Sequence, residues 1–216
     1  MTDQEKIIKN FSQTWEVPNK INPIVIIGTG GIVKDAHLPA YKKAGFQVDG
    51  LYDVDKDKAN TLAAEFGIKK VFNSLDEAFQ NSDCIFDLAL PPANLLEVVE
   101  KLPDNIFAIF QKPLGRSLEE ADKIRKICHQ KNIKACMNFQ LRFSPISLPV
   151  YEAIKQNLLG DLVELEVHVN VHTPWELWPF LKTLDRVEVP LHSIHYICLL
   201  YTSPSPRDKR QSRMPS

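Results

Sequence analysis

Long apolar runs are missing from this chain of 216 residues: none approaches the roughly 20 residues of a membrane-spanning helix, so no membrane partner is expected. An excess of either charge is missing too. Twenty-six Lys and Arg stand against 27 Asp and Glu, which leaves no basic field for holding nucleic acid. Cysteine is sparse and scattered: Cys84, Cys128, Cys136 and Cys198 form no CxxC pair, so neither a zinc ribbon nor a disulfide framework is indicated. The opening MTDQEKIIKNF lacks the basic, apolar, small-residue order of a signal peptide, and a reducing cytoplasm is the expected location. No internal repeat is present. What remains, 44% hydrophobic and 25% charged residues, is the make-up of an ordinary globular protein, long enough for one large domain or one domain plus part of another.

From residue 24 to about residue 137, short β-rich apolar runs alternate with stretches of helical period. Pro23-Ile24-Val25-Ile26-Ile27 reads as a buried strand that stops at Gly28, and a helix follows. The sequence next predicts a strand over residues 46–52 and a helix over 56–66 closed by Gly67. Further strands are expected over 84–90, 106–110 and 133–137, with helices over 95–102 and 118–130. Such alternation builds an α/β fold, a doubly wound parallel sheet with helices on both faces. Afterwards the pattern changes. Residues 162–171 alternate apolar and polar side chains behind the turn signal Gly160-Asp161, as a strand with one covered face does. The expected organisation is an N-terminal arm (1–21), the doubly wound domain (22–143), part of an α+β substrate or oligomerisation domain (144–197) and a tail (198–216).

The first βα junction carries Gly28-Thr29-Gly30-Gly31-Ile32-Val33, the first two glycines of a GxGxxG phrase with Val33 in place of the third. Gly28 permits a tight turn, Gly30 lets the backbone approach a pyrophosphate, and the helix opening at Gly31 and Ile32 supplies a positive dipole end. Alone, the phrase is weak. Asp53 strengthens it: twenty residues after Val33, at the end of the second strand, a carboxylate accepts hydrogen bonds from adenine ribose hydroxyls. Asp55 already offers the N-cap of the next helix, which leaves Asp53 free of that duty. No Arg or Lys directly follows Asp53 to neutralise a 2'-phosphate, so NAD is expected over NADP.

The stretch GTGGIVKDAHLPAYKKAGFQVDGLYDVDKDKANTLAAEFGI resembles the opening of the Gfo/Idh/MocA oxidoreductases, the family of glucose-fructose oxidoreductase and myo-inositol dehydrogenase. That family reads GxGGIA followed by HLPAL, then a strand ending in Asp and a helix closing in a phrase like FGI. Leu90-Pro91-Pro92 stands where the family has TPP, which implies that Pro91 borders the nicotinamide. Gln111-Lys112-Pro113 stands at the family's Glu-Lys-Pro, and the segment Asn138 to Phe143 resembles the one that joins the two domains. The resemblance covers about residues 23–197. It implies a Rossmann domain, a nicotinamide cofactor, a sugar, polyol or sugar-derivative substrate, and a homo-oligomer for the full-length form.

Oxidising a secondary alcohol requires a hydride acceptor, a group that takes the hydroxyl proton, and positive charge near the oxygen. Lys112 follows the apolar strand at 106–110, at the carboxyl edge where open parallel sheets bind ligands, and is the candidate cation and a cofactor contact. By the resemblance, Pro113 holds the bend with a cis bond. Gln111 keeps the size of the family's Glu and loses its charge, so Lys112 lacks an adjacent carboxylate; this lowers its pKa or changes its orientation. Leu191-His192-Ser193-Ile194-His195-Tyr196 resembles the family's Asp-x-Gly-x-His-x-x-Asp, with Leu191, Ser193 and Cys198 as departures, and implies His195 as the proton-exchanging group. His192, three residues earlier on the same helix face, is a candidate substrate contact. No carboxylate or cysteine cluster accompanies these histidines, so no metal is expected. Arg142 either contacts substrate or fixes the interdomain bend, and Trp175, with Trp178, either stacks on a sugar ring or fills a core or oligomer face. His37 is assigned to helix packing.

The last nineteen residues hold four Ser, three Pro and four basic residues against one acidic one, too little apolar surface to offset their ordering entropy. They read either as a disordered natural terminus or as foreign sequence appended where the chain breaks off near Ile197. The expected function is hydride transfer between a nicotinamide and a secondary alcohol, with Lys112 polarising the oxygen and His195 exchanging its proton. The alternatives are a non-catalytic dinucleotide-binding regulator and an inactive fragment of such an enzyme.

Overall fold

The computed structural model describes residues 9, 11, 14–80, 83–164, 166–168, 170–172, 175, 176, 178–184 and 187–202. The chain divides into two bodies, one of residues 17–138 with 174–185, the other of residues 1–16, 139–173 and 186–216. In the first body, β1 (Ile24–Ile27), β2 (Val48–Tyr52), β3 (Ile85–Leu88), β4 (Phe107–Phe110) and β5 (Lys134–Met137) form one sheet in the order β2-β1-β3-β4-β5. All four pairings are parallel, and an isolated parallel bridge joins Leu51 to Val71. The helices are α1 (Leu38–Ala44), α2 (Lys56–Phe66), α3 (Leu75–Phe79), α4 (Pro92–Lys101) and α5 (Leu118–Gln130). This is the doubly wound α/β sheet of Rossmann type that the alternation predicts.

Each element follows from its residues. A strand buried on both faces must be apolar throughout, and every residue of β1 is 1% exposed or less. Its alternation splits it between two cores: Ile24 and Ile26 pack with Leu38, Leu51 and Leu62, while Val25 and Ile27 pack with Phe86, Leu88, Leu95 and Ile124. Helix α2 starts where the Asp55 carboxylate accepts a hydrogen bond from Lys58 N and stops at Gly67 in the left-handed region, with φ 70°. Ser117 caps α5 in the same way, accepting from Glu120 N. Both helices keep the bounds the sequence predicts; the strands are shorter by one to three residues, mostly at their starts. Helix α3 is unpredicted, although Ser74 caps it by accepting from Glu77 N, a signal present in SLDEAF.

In the second body, a 3-10 turn (Gln140–Phe143) precedes α6 (Ser147–Lys155), and a π turn (Val189–Ser193) leads into α7 (Ile194–Thr202). Trp15 packs edge-on against Phe143 with ring centroids 5.1 Å apart. One expectation needs correction. The described residues within 162–171 take no regular element, since alternation makes a strand only when a neighbouring strand supplies hydrogen bonds, and none does so among the described residues. Helix α7 runs through Cys198, where the tail is expected to begin, to Thr202. Residues 203–216, to which the rest of that expectation applies, lie outside the described residues. The division after Asn138 precedes the boundary expected at residue 143. Among the described residues, no helix is long and apolar enough to cross a membrane.

Candidate nucleotide and reaction site

The four strand pairings end level: Ile27 faces Tyr52 and Leu88, Leu88 faces Phe110, and Phe110 faces Met137. The residues that follow therefore gather along one rim, and the ladder holds them there. Gly28 N donates to Tyr52 O at 2.8 Å, Ala89 N to Ile27 O at 2.9 Å, Gln111 N to Leu88 O at 3.1 Å and Asn138 N to Phe110 O at 2.8 Å. Gly28 has φ 97°, and a Cβ on it would lie 2.5 Å from Ala89 O, so glycine is required by both conformation and space. A Cβ on Gly30 would meet nothing within 4 Å, so the space above the loop is open. From Gly31 the chain is helical: Val33 N and Lys34 N donate to Gly30 O at 3.0 and 3.2 Å, and a π turn (Val33–His37) carries the helix into α1. The first N–H groups of this helix, at Gly31 and Ile32, have no intrahelical partner and carry its positive dipole end. An open glycine cradle with such donors fits a pyrophosphate.

Asp53 stands at the end of β2 beside that loop. Its Oδ2 accepts hydrogen bonds from Thr29 N at 2.6 Å and Thr29 Oγ1 at 2.7 Å, and its Oδ1 accepts from Asp55 N at 2.9 Å. The carboxylate is thus pinned to the glycine loop by Thr29, which is buried and which sequence reasoning missed. Its signal was a small hydroxyl residue between two loop glycines with an acid at the end of the next strand. Val54, after Asp53, is 91% exposed and brings no cation to the rim.

Pro91 stands at the start of α4, and Lys112 joins Pro113 through a cis peptide bond. Lys112 is half-buried, and burial lowers its ammonium below the ordinary 10.5. No described residue offers Nζ a hydrogen bond or ion pair. The neighbouring Gln111 is itself buried, and its Oε1 accepts from Lys112 N at 3.0 Å. Its Nε2 lies 3.0 Å from His37 Nε2, and Asn138 Nδ2 lies 3.2 Å from the same nitrogen. On the other side of the ring, His37 Nδ1 is 2.7 Å from Asp87 Oδ2, to which Tyr41 also donates at 2.9 Å. Burial, followed by the charge of Asp87, pushes the Tyr41 hydroxyl well above its usual range. His37 therefore packs within a buried polar cluster that ties α1 to the ends of three strands. Asp87, fully buried, is the partner that sequence reasoning missed; its signal was one acid in the apolar run CIFDLAL.

In the second body His195 is buried, its ring edge-on to Phe139 at 5.2 Å. His192 Nδ1 donates to Glu188 Oε2 at 3.0 Å. Arg142 Nη1 donates to Cys198 Sγ at 3.3 Å, while its Nε is buried with no hydrogen-bond partner among the described residues. Trp175 belongs to the first body and is 38% exposed. Of the residues singled out from the sequence, Gly28, Gly30, Gly31, Ile32, Asp53, Pro91 and Lys112 share the rim of the first body. Arg142, His192 and His195 belong to the second.

A parallel sheet in this order, with a glycine cradle after β1 and an acid after β2, defines a dinucleotide-binding domain. Residues 23–139 match the family described as Oxidoreductase family, NAD-binding Rossmann fold, and the chain belongs to this Gfo/Idh/MocA family. It is 27% identical over 146 residues to glucose-6-phosphate 3-dehydrogenase of Bacillus subtilis, covering 67% of this chain and 41% of the relative. It is 24% identical over 152 residues to D-xylose 1-dehydrogenase (NADP(+)) 2 of Haloferax volcanii, covering 69% and 46%. The fold is shared with the super-repressor mutant of Gal80p from Saccharomyces cerevisiae, at TM-score 0.58 and 23% identity over 65% of this chain and 40% of that one. The chain spans less than half the length of each of these proteins.

Proposed function

We propose that the protein binds NAD along the rim of its first body and transfers hydride between it and a secondary alcohol of a sugar, polyol or sugar derivative. The observation that carries this reading is the level ending of the strands, which puts the glycine cradle, Asp53, Pro91 and an ammonium without a counter-ion among the described residues on one edge. A bound nicotinamide supplies the hydride acceptor or donor. The chain's own residues do the rest. The loop from Gly28 to Ile32 holds the pyrophosphate; Asp53, pinned by Thr29, receives the ribose hydroxyls and repels a 2'-phosphate. Lys112 places positive charge where an alcohol oxygen gains negative charge, and since no described carboxylate neutralises it, its full field acts there. His195 keeps the proton-exchanging role that its phrase implies. Two relatives are named for sugar substrates, which supports that substrate class.

Titration with NAD(H) and NADP(H) tests the cofactor assignment, and at least about tenfold tighter binding of NAD(H) is expected from like-charge repulsion at Asp53. Equal affinities would remove Asp53 from the ribose role. Turnover with a panel of sugars and polyols tests the reaction. Binding of NAD without turnover on any of them would favour the second reading, a dinucleotide-binding regulator, which the uncharged Gln111 and the fold shared with a Gal80p super-repressor support.

A further inference from the structure

Five polar side chains from different parts of the fold meet inside the first body: His37 from the π turn, Tyr41 from α1, Asp87 from the middle of β3, Gln111 after β4 and Asn138 after β5. A carboxylate in the centre of an apolar parallel sheet is destabilising unless something requires it, because a hydrophobic residue there would pack without desolvating a charge. The hydrogen bonds show what it does. Lys112 N–H donates to Gln111 Oε1, which fixes the orientation of that amide and turns its NH2 toward His37 Nε2. Asn138 Nδ2 points at the same nitrogen. Two donors converging on Nε2 leave it without a proton, so the ring proton sits on Nδ1 and is donated to Asp87 Oδ2.

We propose that His37, fixed by Asp87 as the neutral Nδ1–H tautomer, is a positioning residue for Lys112. It holds Gln111, and Gln111 holds the backbone N–H of Lys112. The inference rests on the reading of Lys112 as the cation of the reaction, since a lysine with no ion pair of its own is oriented only through its backbone and packing. A glutamine suits position 111 because the relay needs one group that donates to His37 and accepts from Lys112 at once. A carboxylate accepts from Lys112 but has no proton for a bare imidazole nitrogen.

The full 216-residue chain labelled with 15N tests the relay. Long-range proton–nitrogen spectra should show His37 with a protonated Nδ1 and a bare Nε2. Gln111→Met removes donor and acceptor at similar volume, and the Lys112 amide should then exchange with solvent about fivefold faster or more relative to other rim amides such as Asn138, the loss of one ordinary hydrogen bond. Gln111→Glu restores the acceptor alone: it should return the Lys112 amide to wild-type protection and leave His37 protonated on both nitrogens to meet the new carboxylate. A structural cluster without a positioning role would lower the melting temperature in both variants and change Lys112 exchange no more than that of its neighbours. That result, or a wild-type Nε2–H tautomer, which is readable even if neither variant folds, overturns the proposal. These spectra are independent of turnover, so an active Lys112→Met variant would sink the reaction role of Lys112 and leave the tautomer and exchange results standing.

Discussion

At Lys112 the physics is one-sided: burial lowers its pKa and no anion among the described residues raises it. The sign of the consequence is fixed. Between the depressed folded value and the unfolded value near 10.5, the unfolded chain binds more protons, so unfolding free energy rises with pH across that window and levels off above it. Lys112→Met should remove this slope, which urea titrations of wild type and variant at increasing alkaline pH will show as a difference that grows toward pH 10.5. Under the proposed reaction, the same substitution should lower turnover roughly a hundredfold with little change in NAD affinity, because a charge needed in the transition state acts on rate. Unchanged turnover would end its catalytic assignment. Gly28→Ala places a methyl group 2.5 Å from Ala89 O at a φ that side chains avoid, and should destabilise the protein by about 2 kcal/mol or more and abolish nucleotide binding.

Elements were legible where a local rule decides them. Helices α2 and α5 announce themselves by Asp55, Gly67 and Ser117, and Ser117→Ala should cost about 1 kcal/mol in chemical unfolding, the usual value of an N-cap. Strand β1 was legible because burial on both faces forces an uninterrupted apolar run. What escaped depends on residues far apart in sequence. His37 and Asp87 are 50 positions apart, and Gln111 is 74 from His37, so only the sheet register and the π turn between the glycine loop and α1 bring them together. Thr29 escaped for the same reason, its partner being 24 residues away. The alternation over 162–171 misled because it records which side of a strand is covered and says nothing of what supplies its hydrogen bonds.

For the molecule as a whole, the first body carries a core on each face of its sheet, so a fragment of residues 17–138 should fold and bind NAD by itself. Cooperative melting of that fragment, raised by nucleotide, is the expected result; NAD at a hundred times its dissociation constant should add about 2.7 kcal/mol. A fragment that shows neither folding nor a nucleotide shift would tie the rim to the rest of the chain. The glycine loop grows directly out of β1, which lies between β2 and β3 with every residue at 1% exposure or less. Amides of β1 exchange only when its neighbouring strands open with it, which makes the root of the loop one of the slowest-breathing places in the body. The cradle is therefore shaped before any nucleotide arrives. In a calorimeter, association should register as favourable heat with little entropy lost to ordering the loop, and with a heat-capacity change no larger than the buried apolar surface requires.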